Sequence, residues 1–222
     1  MAKNPQNVTV SGRLSWPVLT HDEAVTRNIK SKYPQDADKV TAEFNLLLDA
    51  AQFDKFRTHV RDEFLPWCEQ QLAAGETRNA LDTKQVKQLM AVLDGDLEVQ
   101  PPYIPAKAVP EKSQELAPEA VCMLKVKGPR GGDIELKAIV QDESELLVPD
   151  PDQLTYPVVK PLGQTVHKMY GGAYVAATLN LYAFINGKLP GFSASAGVAV
   201  FKADGDRFGG GVAVDEDEIF LD

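Results

Sequence analysis

The first well-patterned stretch of the chain alternates apolar and polar residues. Val8, Val10, Leu14 and Trp16 fall on one set of positions, with Thr9, Ser11, Arg13 and Ser15 on the other. A period of two separates the faces of a strand, so 8–16 is predicted as a half-buried β-strand with Arg13 outward. The polar stretch that follows reads as a loop and contains Arg27, Lys30, Lys32, Tyr33 and Pro34. Alternation returns over 39–48, where Val40, Ala42, Phe44, Leu46 and Leu48 share an inner face.

The period then changes. Phe53, Phe56, Val60, Phe64 and Trp67 recur three or four residues apart, which predicts a helix over 51–74 that Pro66 kinks or divides. A second helix over 83–93 carries Val86, Leu89, Met90 and Leu93 and stops at Asp94-Gly95. Prolines at 101, 102, 105, 110 and 118 make 100–119 an extended connection. Beyond 120 the strand pattern resumes, with candidates at 120–127, 134–141, 173–186 and 194–203. Two strands, a helical excursion over about 51–94 and four more strands predict a mainly β, α+β chain. Its expected form is a single antiparallel β-barrel over 1–208 with a helical insertion, followed by a tail over 209–222.

Strand 173–186 is the most informative. Val175, Ala177, Leu179, Leu181, Ala183 and Ile185 form one apolar face, and burial accounts for them. The other face sets Tyr174, Tyr182 and Phe184 among Ala176, Thr178, Asn180 and Asn186. Outward aromatics on a sheet can stack on unpaired bases, although a loop or a subunit interface would also cover them. Strand 120–127 turns Lys125 and Lys127 outward, and Gly128-Pro129-Arg130-Gly131-Gly132 reads as a basic turn. Singly these cations are ordinary solvated residues. Beside aromatic platforms they supply phosphate attraction.

Net charge at first argues the other way. The chain of 222 residues carries 32 acids and 23 bases, a balance of −9. Five of the acids lie in the last eight residues, so the rest holds 27 acids against 23 bases, or −4. A near-neutral body can present one basic face, and charge therefore does not exclude a polyanionic ligand. The acidic run, Asp215, Glu216, Asp217 and Glu218, is followed by Ile219-Phe220-Leu221 and preceded by a Gly209-Gly210-Gly211 hinge. Acidity tipped by a large apolar group suits a tail that binds a basic-rimmed apolar pocket on a partner, or one that competes for the protein's own basic face. A merely solubilising end accounts for the carboxylates but not for the apolar residues.

Several blocks together resemble a phage-encoded family of single-stranded DNA-binding proteins. The stretch Tyr170-Gly171-Gly172-Ala173-Tyr174-Val175-Ala176-Ala177-Thr178-Leu179-Asn180-Leu181-Tyr182-Ala183-Phe184 carries most of the likeness. Ser193 to Gly197, Asp206 to Gly211 and the opening Gly12-Arg13-Leu14-Ser15-Trp16-Pro17 extend it. The resemblance implies an OB-like fold and non-catalytic, largely sequence-independent binding of single-stranded DNA in phage replication or recombination. Its place would be the cytoplasm of the infected bacterial host. It also implies an acidic tail that engages replication or recombination proteins. Here Leu221 and Asp222 follow the aromatic, a departure from the terminal aromatic of such tails. Tyr174, Tyr182 and Phe184 fall within the matched stretch and on this reading stack bases, while strand alternation alone assigns Arg13, Lys125, Lys127 and Arg130 to phosphates. Lys30, Lys32 and Tyr33 close over the strand.

No enzyme chemistry competes. His21, His59 and His167 are scattered, and Cys68 and Cys122 lack zinc-finger spacing or a disulfide framework. No phosphate loop or nucleophile elbow occurs, Asp150 and Asp152 read as turn residues, and no cofactor, metal or membrane is implied. The rival reading is a β-rich virion structural or assembly protein, with the aromatic face as a contact between copies.

Overall fold

The computed structural model describes residues 4–31, 40–95, 103–130, 132–142, 145–146, 159–161 and 170–208. Strand β1 (Asn7–Val18) leads into helix α1 (His21–Ser31) and strand β2 (Thr41–Leu48). Helix α2 (Ala50–His59), a π-helical turn (Val60–Phe64) and helix α3 (Leu65–Ala73) then run on, followed by α4 (Thr83–Asp94). Next come β3 (Ala106–Lys107), α5 (Glu111–Leu116), β4 (Cys122–Arg130), β5 (Glu135–Asp142), β6 (Glu145–Leu146) and β7 (Val159–Pro161). The chain continues through β8 (Tyr174–Asn186), β9 (Leu189–Ser195) and β10 (Val198–Ala203).

Strand pairing returns on itself. β1 pairs with β2, β2 with β4, β4 with β9, β9 with β8, and β8 again with β1. The long β8 makes this possible, offering Tyr174–Asn180 to β1 and Asn180–Asn186 to β9. β10 continues along the β8 edge that β9 occupies and pairs with β5. The expected all-antiparallel arrangement is corrected at two places, since β4–β9 and β10–β5 are parallel. The structure is thus a mixed sheet with a few helices.

The alternation rule holds along β8, where Val175, Ala177, Leu179, Leu181 and Ala183 are all buried. Ile185 departs from it and is half exposed, because the hairpin tip projects beyond the core. The same core takes in Leu14, Phe44, Leu46 and Leu124 from the strands. Phe56, Phe64, Leu65, Cys68, Val86, Leu89 and Leu93 enter it from the helices. Phe192 of β9 is the contact point, with ring centroids 6.5 Å from Phe56 and 5.8 Å from Phe64. The helical insertion therefore roofs the sheet.

Local chemistry explains the helix boundaries. Asp82 accepts from the Gln85 backbone N–H at 2.8 Å while the Gln85 side-chain carbonyl accepts from the Asp82 N–H, a capping box that starts α4. Pro66 has no N–H to give, and its ring would crowd the carbonyl four residues back. The helix answers by widening into the π-helical turn just before it, so the expected division falls at 60–64.

Other expectations are revised. The polar stretch after β1 is helical to Ser31, and its N-terminal Asp22 and Glu23 suit the positive end of the helix dipole. Residues 103–120 form more than an extended connection. β3 pairs with β4, α5 folds locally, and Ile104, Ala106, Ala117 and Ala120 are buried. β4 runs through Gly128 and Pro129 to Arg130, so most of the supposed basic turn is strand. The predicted 194–203 strand is the end of β9 plus β10, broken at Ala196-Gly197.

Candidate nucleic-acid interface

The outer faces of β4, β9 and β8 meet in cross-strand rows. One row runs Glu43, Lys127, Ser195, Asn180 and Asn7, set by the registers of β2–β4, β4–β9, β9–β8 and β8–β1. Tyr182 stands one outward position further along β8, opposite Ser193. Lys127 and Tyr182 line one open depression of about 480 Å³ with Thr41, Gly128, Pro129, Ser195, Ala196 and Gly197. A cation and an aromatic face thus share one hollow. Lys127 is exposed and has no carboxylate partner among the described residues.

Two further aromatics extend the platform. Phe184 lies 6.3 Å from Tyr182 and 6.2 Å from Tyr103, the latter edge-on. Gly191, directly across from Phe184, makes room for them. A Cβ there would sit 2.5 Å from the Tyr103 Cβ and 2.8 Å from the Phe184 ring. Tyr103 was not singled out by sequence, because it sits in the Pro-rich stretch where no alternation marks a face. An aromatic directly after Pro101-Pro102 was the available signal. The β8 edge at this end is closed by side chains: Gln6 donates to the Leu181 carbonyl at 3.1 Å, and Asn79 accepts from the Ala183 N–H at 2.8 Å.

Lys125 faces the same way as Lys127 but is engaged. Its ammonium lies 2.9 Å from Glu43, a diagonal neighbour on β2, in an exposed pair. Such a pair is weak enough for a phosphate to displace it.

Arg13 is a correction. It is 5% exposed, and its guanidinium donates to the carbonyls of Leu116 at 2.8 Å, Asp206 at 2.8 Å and Gly172 at 3.3 Å. Phe208 and Tyr174 flank it, with ring centroids at 4.5 and 5.5 Å. Its side chain joins β1, the end of α5, the 170–172 turn and the 204–208 segment, and is not available to a phosphate. Gly172 completes this clasp with a φ of 111°, and a Cβ there would collide with the Asp206 carbonyl. Tyr170 donates to the Gly205 carbonyl at 2.9 Å, and Arg207 lies 4.5 Å over its ring. Burial pushes the Tyr170 hydroxyl's pKa upward.

Tyr174 belongs to this clasp. Eight residues of strand, roughly 26 Å, separate it from Tyr182, so the structure does not bring the three predicted aromatics together. Lys30 lies in α1, but its side chain is outside the described residues, as is that of Arg130 in β4. Lys32, Tyr33 and the tail residues Asp215, Glu216, Asp217, Glu218 and Phe220 also lie outside them. His59 and Glu63 approach to 3.3 Å, but no group of three metal-ligating side chains forms among the described residues. No helix among them is long and apolar enough to cross a membrane.

Neither a protein-family model nor a curated protein sequence matches the chain. Solved structures do. The single-stranded DNA-binding protein from bacteriophage Enc34 aligns with a TM-score of 0.49 and 13% identity, over 100% of this chain and 97% of that one. The same phage protein in complex with ssDNA gives a TM-score of 0.51 at 13% identity, over 94% of this chain and 97% of that one. At this level of identity the likeness is one of architecture, and the chain shares its fold with that complexed protein.

Proposed function

We propose that the chain binds single-stranded DNA, without catalysis and largely independently of sequence, across the outer face of β2, β4, β9 and β8. The observation that carries this reading is the hollow shared by Lys127 and Tyr182. Tyr182 and Phe184 stack bases, Lys127 and Lys125 hold phosphates, and Tyr103 widens the aromatic platform. The circuit β1-β2-β4-β9-β8 is taken as an OB-like barrel over 1–208. Barrels of that kind bind oligonucleotides on their second and third strands and on two flanking loops. In this chain those strands are β2 and β4, and the flanking connections are 19–40, which includes α1 and carries Lys30, Lys32 and Tyr33, and the Gly187-Lys188 turn. The shared fold with a phage protein solved on ssDNA agrees with this assignment.

The same reading makes 209–222 an acidic tail that recruits replication or recombination proteins in a phage-infected bacterial cell. Asp215, Glu216, Asp217 and Glu218 provide charge and Phe220 the anchor. Deleting 212–222 leaves DNA binding intact or stronger and abolishes the partner contact.

The direct test is fluorescence anisotropy with a labelled oligo-dT and a duplex of equal length at low and moderate salt. Tight single-strand binding that weakens with salt, weak duplex binding, and losses in Tyr182→Ala and Lys127→Glu are expected. Absence of binding by both the full-length and tail-deleted proteins overturns the proposal and turns the aromatic face into a contact between copies.

A further inference from the structure

Trp16 is 72% exposed, the most exposed of the large apolar residues among the described ones. Sequence alternation placed it inside, and a bulge puts it outside. In the β1–β2 pairing Ser15 faces Asn45 and Val18 faces Glu43, so Trp16 and Pro17 together oppose the single residue Phe44. An extra residue of this kind re-aims a side chain. Trp16 also has a φ of 47°, the left-handed region that glycine occupies freely and bulky side chains avoid. A following proline adds its own pressure toward extended backbone. A large aromatic is thus held in solvent on a strained backbone where glycine would fold more easily. Strain of this kind at an exposed position points toward function.

Its surroundings say which function. The two rows that bracket Trp16 run on across the sheet, Ser15–Asn45–Lys125 and Val18–Glu43–Lys127. Lys127 lines the hollow that also holds Tyr182. Four inter-strand steps, from β8 through β9, β4 and β2 to β1, make a path of about 19 Å along the sheet between Tyr182 and Trp16. The half-buried Tyr182 and the exposed Trp16 therefore flank a lysine-bearing strip, within the span of the 4–16 nucleotides one such domain takes.

We propose that Trp16 is a second base-stacking station, so that a single strand crosses β4 and β2 between Tyr182 and Trp16 with its phosphates on Lys127 and Lys125. This rests on the single-strand-binding reading above and adds the strand's course and its far end. The occupant is an unpaired base rather than a second copy of the chain, because the strip leading to Trp16 carries cations and ends on an aromatic platform.

The experiment uses the full chain and oligo-dT of graded length. Trp16→Ala weakens binding about 5- to 100-fold, the loss of one stacked base, for oligomers long enough to span both aromatics. Oligomers too short to span them are affected far less. Trp16→Phe restores most of the affinity. Trp16→Gly relieves the backbone, so thermal unfolding stays level or rises while affinity falls as in the alanine variant. In a Trp67→Phe background, oligo-dT quenches the remaining Trp16 emission. Should oligo-dT bind in a manner that depends on Tyr182 and Lys127 while Trp16→Ala changes neither affinity nor length dependence, this inference fails and the proposed function stands. A Trp16→Ala effect confined to the concentration dependence of the protein's mass would make Trp16 a contact between copies and equally overturn it. If oligo-dT does not bind at all, the fault lies with the proposed function.

Discussion

At the scale of single residues, the two arginine and lysine positions that looked alike in sequence do opposite things. Arg13 and Lys127 both alternate with apolar neighbours, yet one is walled in by carbonyls and the other lines an open hollow. Arg13→Ala strands three carbonyls and is expected to cost about 3–5 kcal/mol. For a domain of this size that lowers the thermal midpoint by about 10 °C, which differential scanning fluorimetry would register. Lysine at this position keeps a charge but loses the fork, and recovers little. Glu43 is the converse case, an acid on the cationic strip that occupies Lys125. Glu43→Gln is expected to raise affinity for oligo-dT. It should also steepen the slope of log affinity against log salt by about 0.7, one further phosphate contact.

At the scale of elements, β8 was the most legible part of the chain, because a strict period of two over many residues allows only one pair of faces. β1 was legible only to Ser15. A bulge adds one residue and reverses the faces beyond it, and no composition rule announces a tryptophan in a left-handed conformation. The shared hollow could be guessed from outward lysines and aromatics, whereas Tyr103 joins the aromatic platform beside it through a tertiary contact with Phe184 that the prolines around it concealed. The π-helical turn illustrates a middle case: Pro66 foretold a disturbance, and its form emerged only from the backbone. The free end of β8 depends on a loop side chain, Asn79, which has a φ of 57° and closes the Ala183 N–H. Asn79→Ala removes both the hydrogen bond and a residue tolerant of that conformation, at about 1–2 kcal/mol. Amide exchange at Ala183 should accelerate at once, with binding reduced through Tyr182 and Phe184 on the same segment.

At the scale of the whole molecule, one core joins strands and helices, and both free cysteines lie within it. Burial pushes the Cys68 and Cys122 thiols up to about 12 from an ordinary value near 9. The native protein therefore holds those protons over a range in which the unfolded chain has released them. Stability is expected to fall as pH rises from about 9 toward 12, by at most about 1.4 kcal/mol per pH unit for each thiol. Urea midpoints at pH 8 and pH 10 would show the decline, and alanine at both positions would flatten it. A thiol reagent should react with neither cysteine until the fold opens. The return of β8 onto β1 carries a different consequence. Val8 and Leu179 lie side by side, so the first strand must wait for nearly the entire chain before its second neighbour exists. At ribosomal speeds of 5–20 residues per second, that interval is on the order of ten to thirty seconds. During it, one edge of β1 remains open to other nascent chains. A chain ending at residue 130 should aggregate rather than fold, and slower translation of the second half should lower the yield of the intact protein.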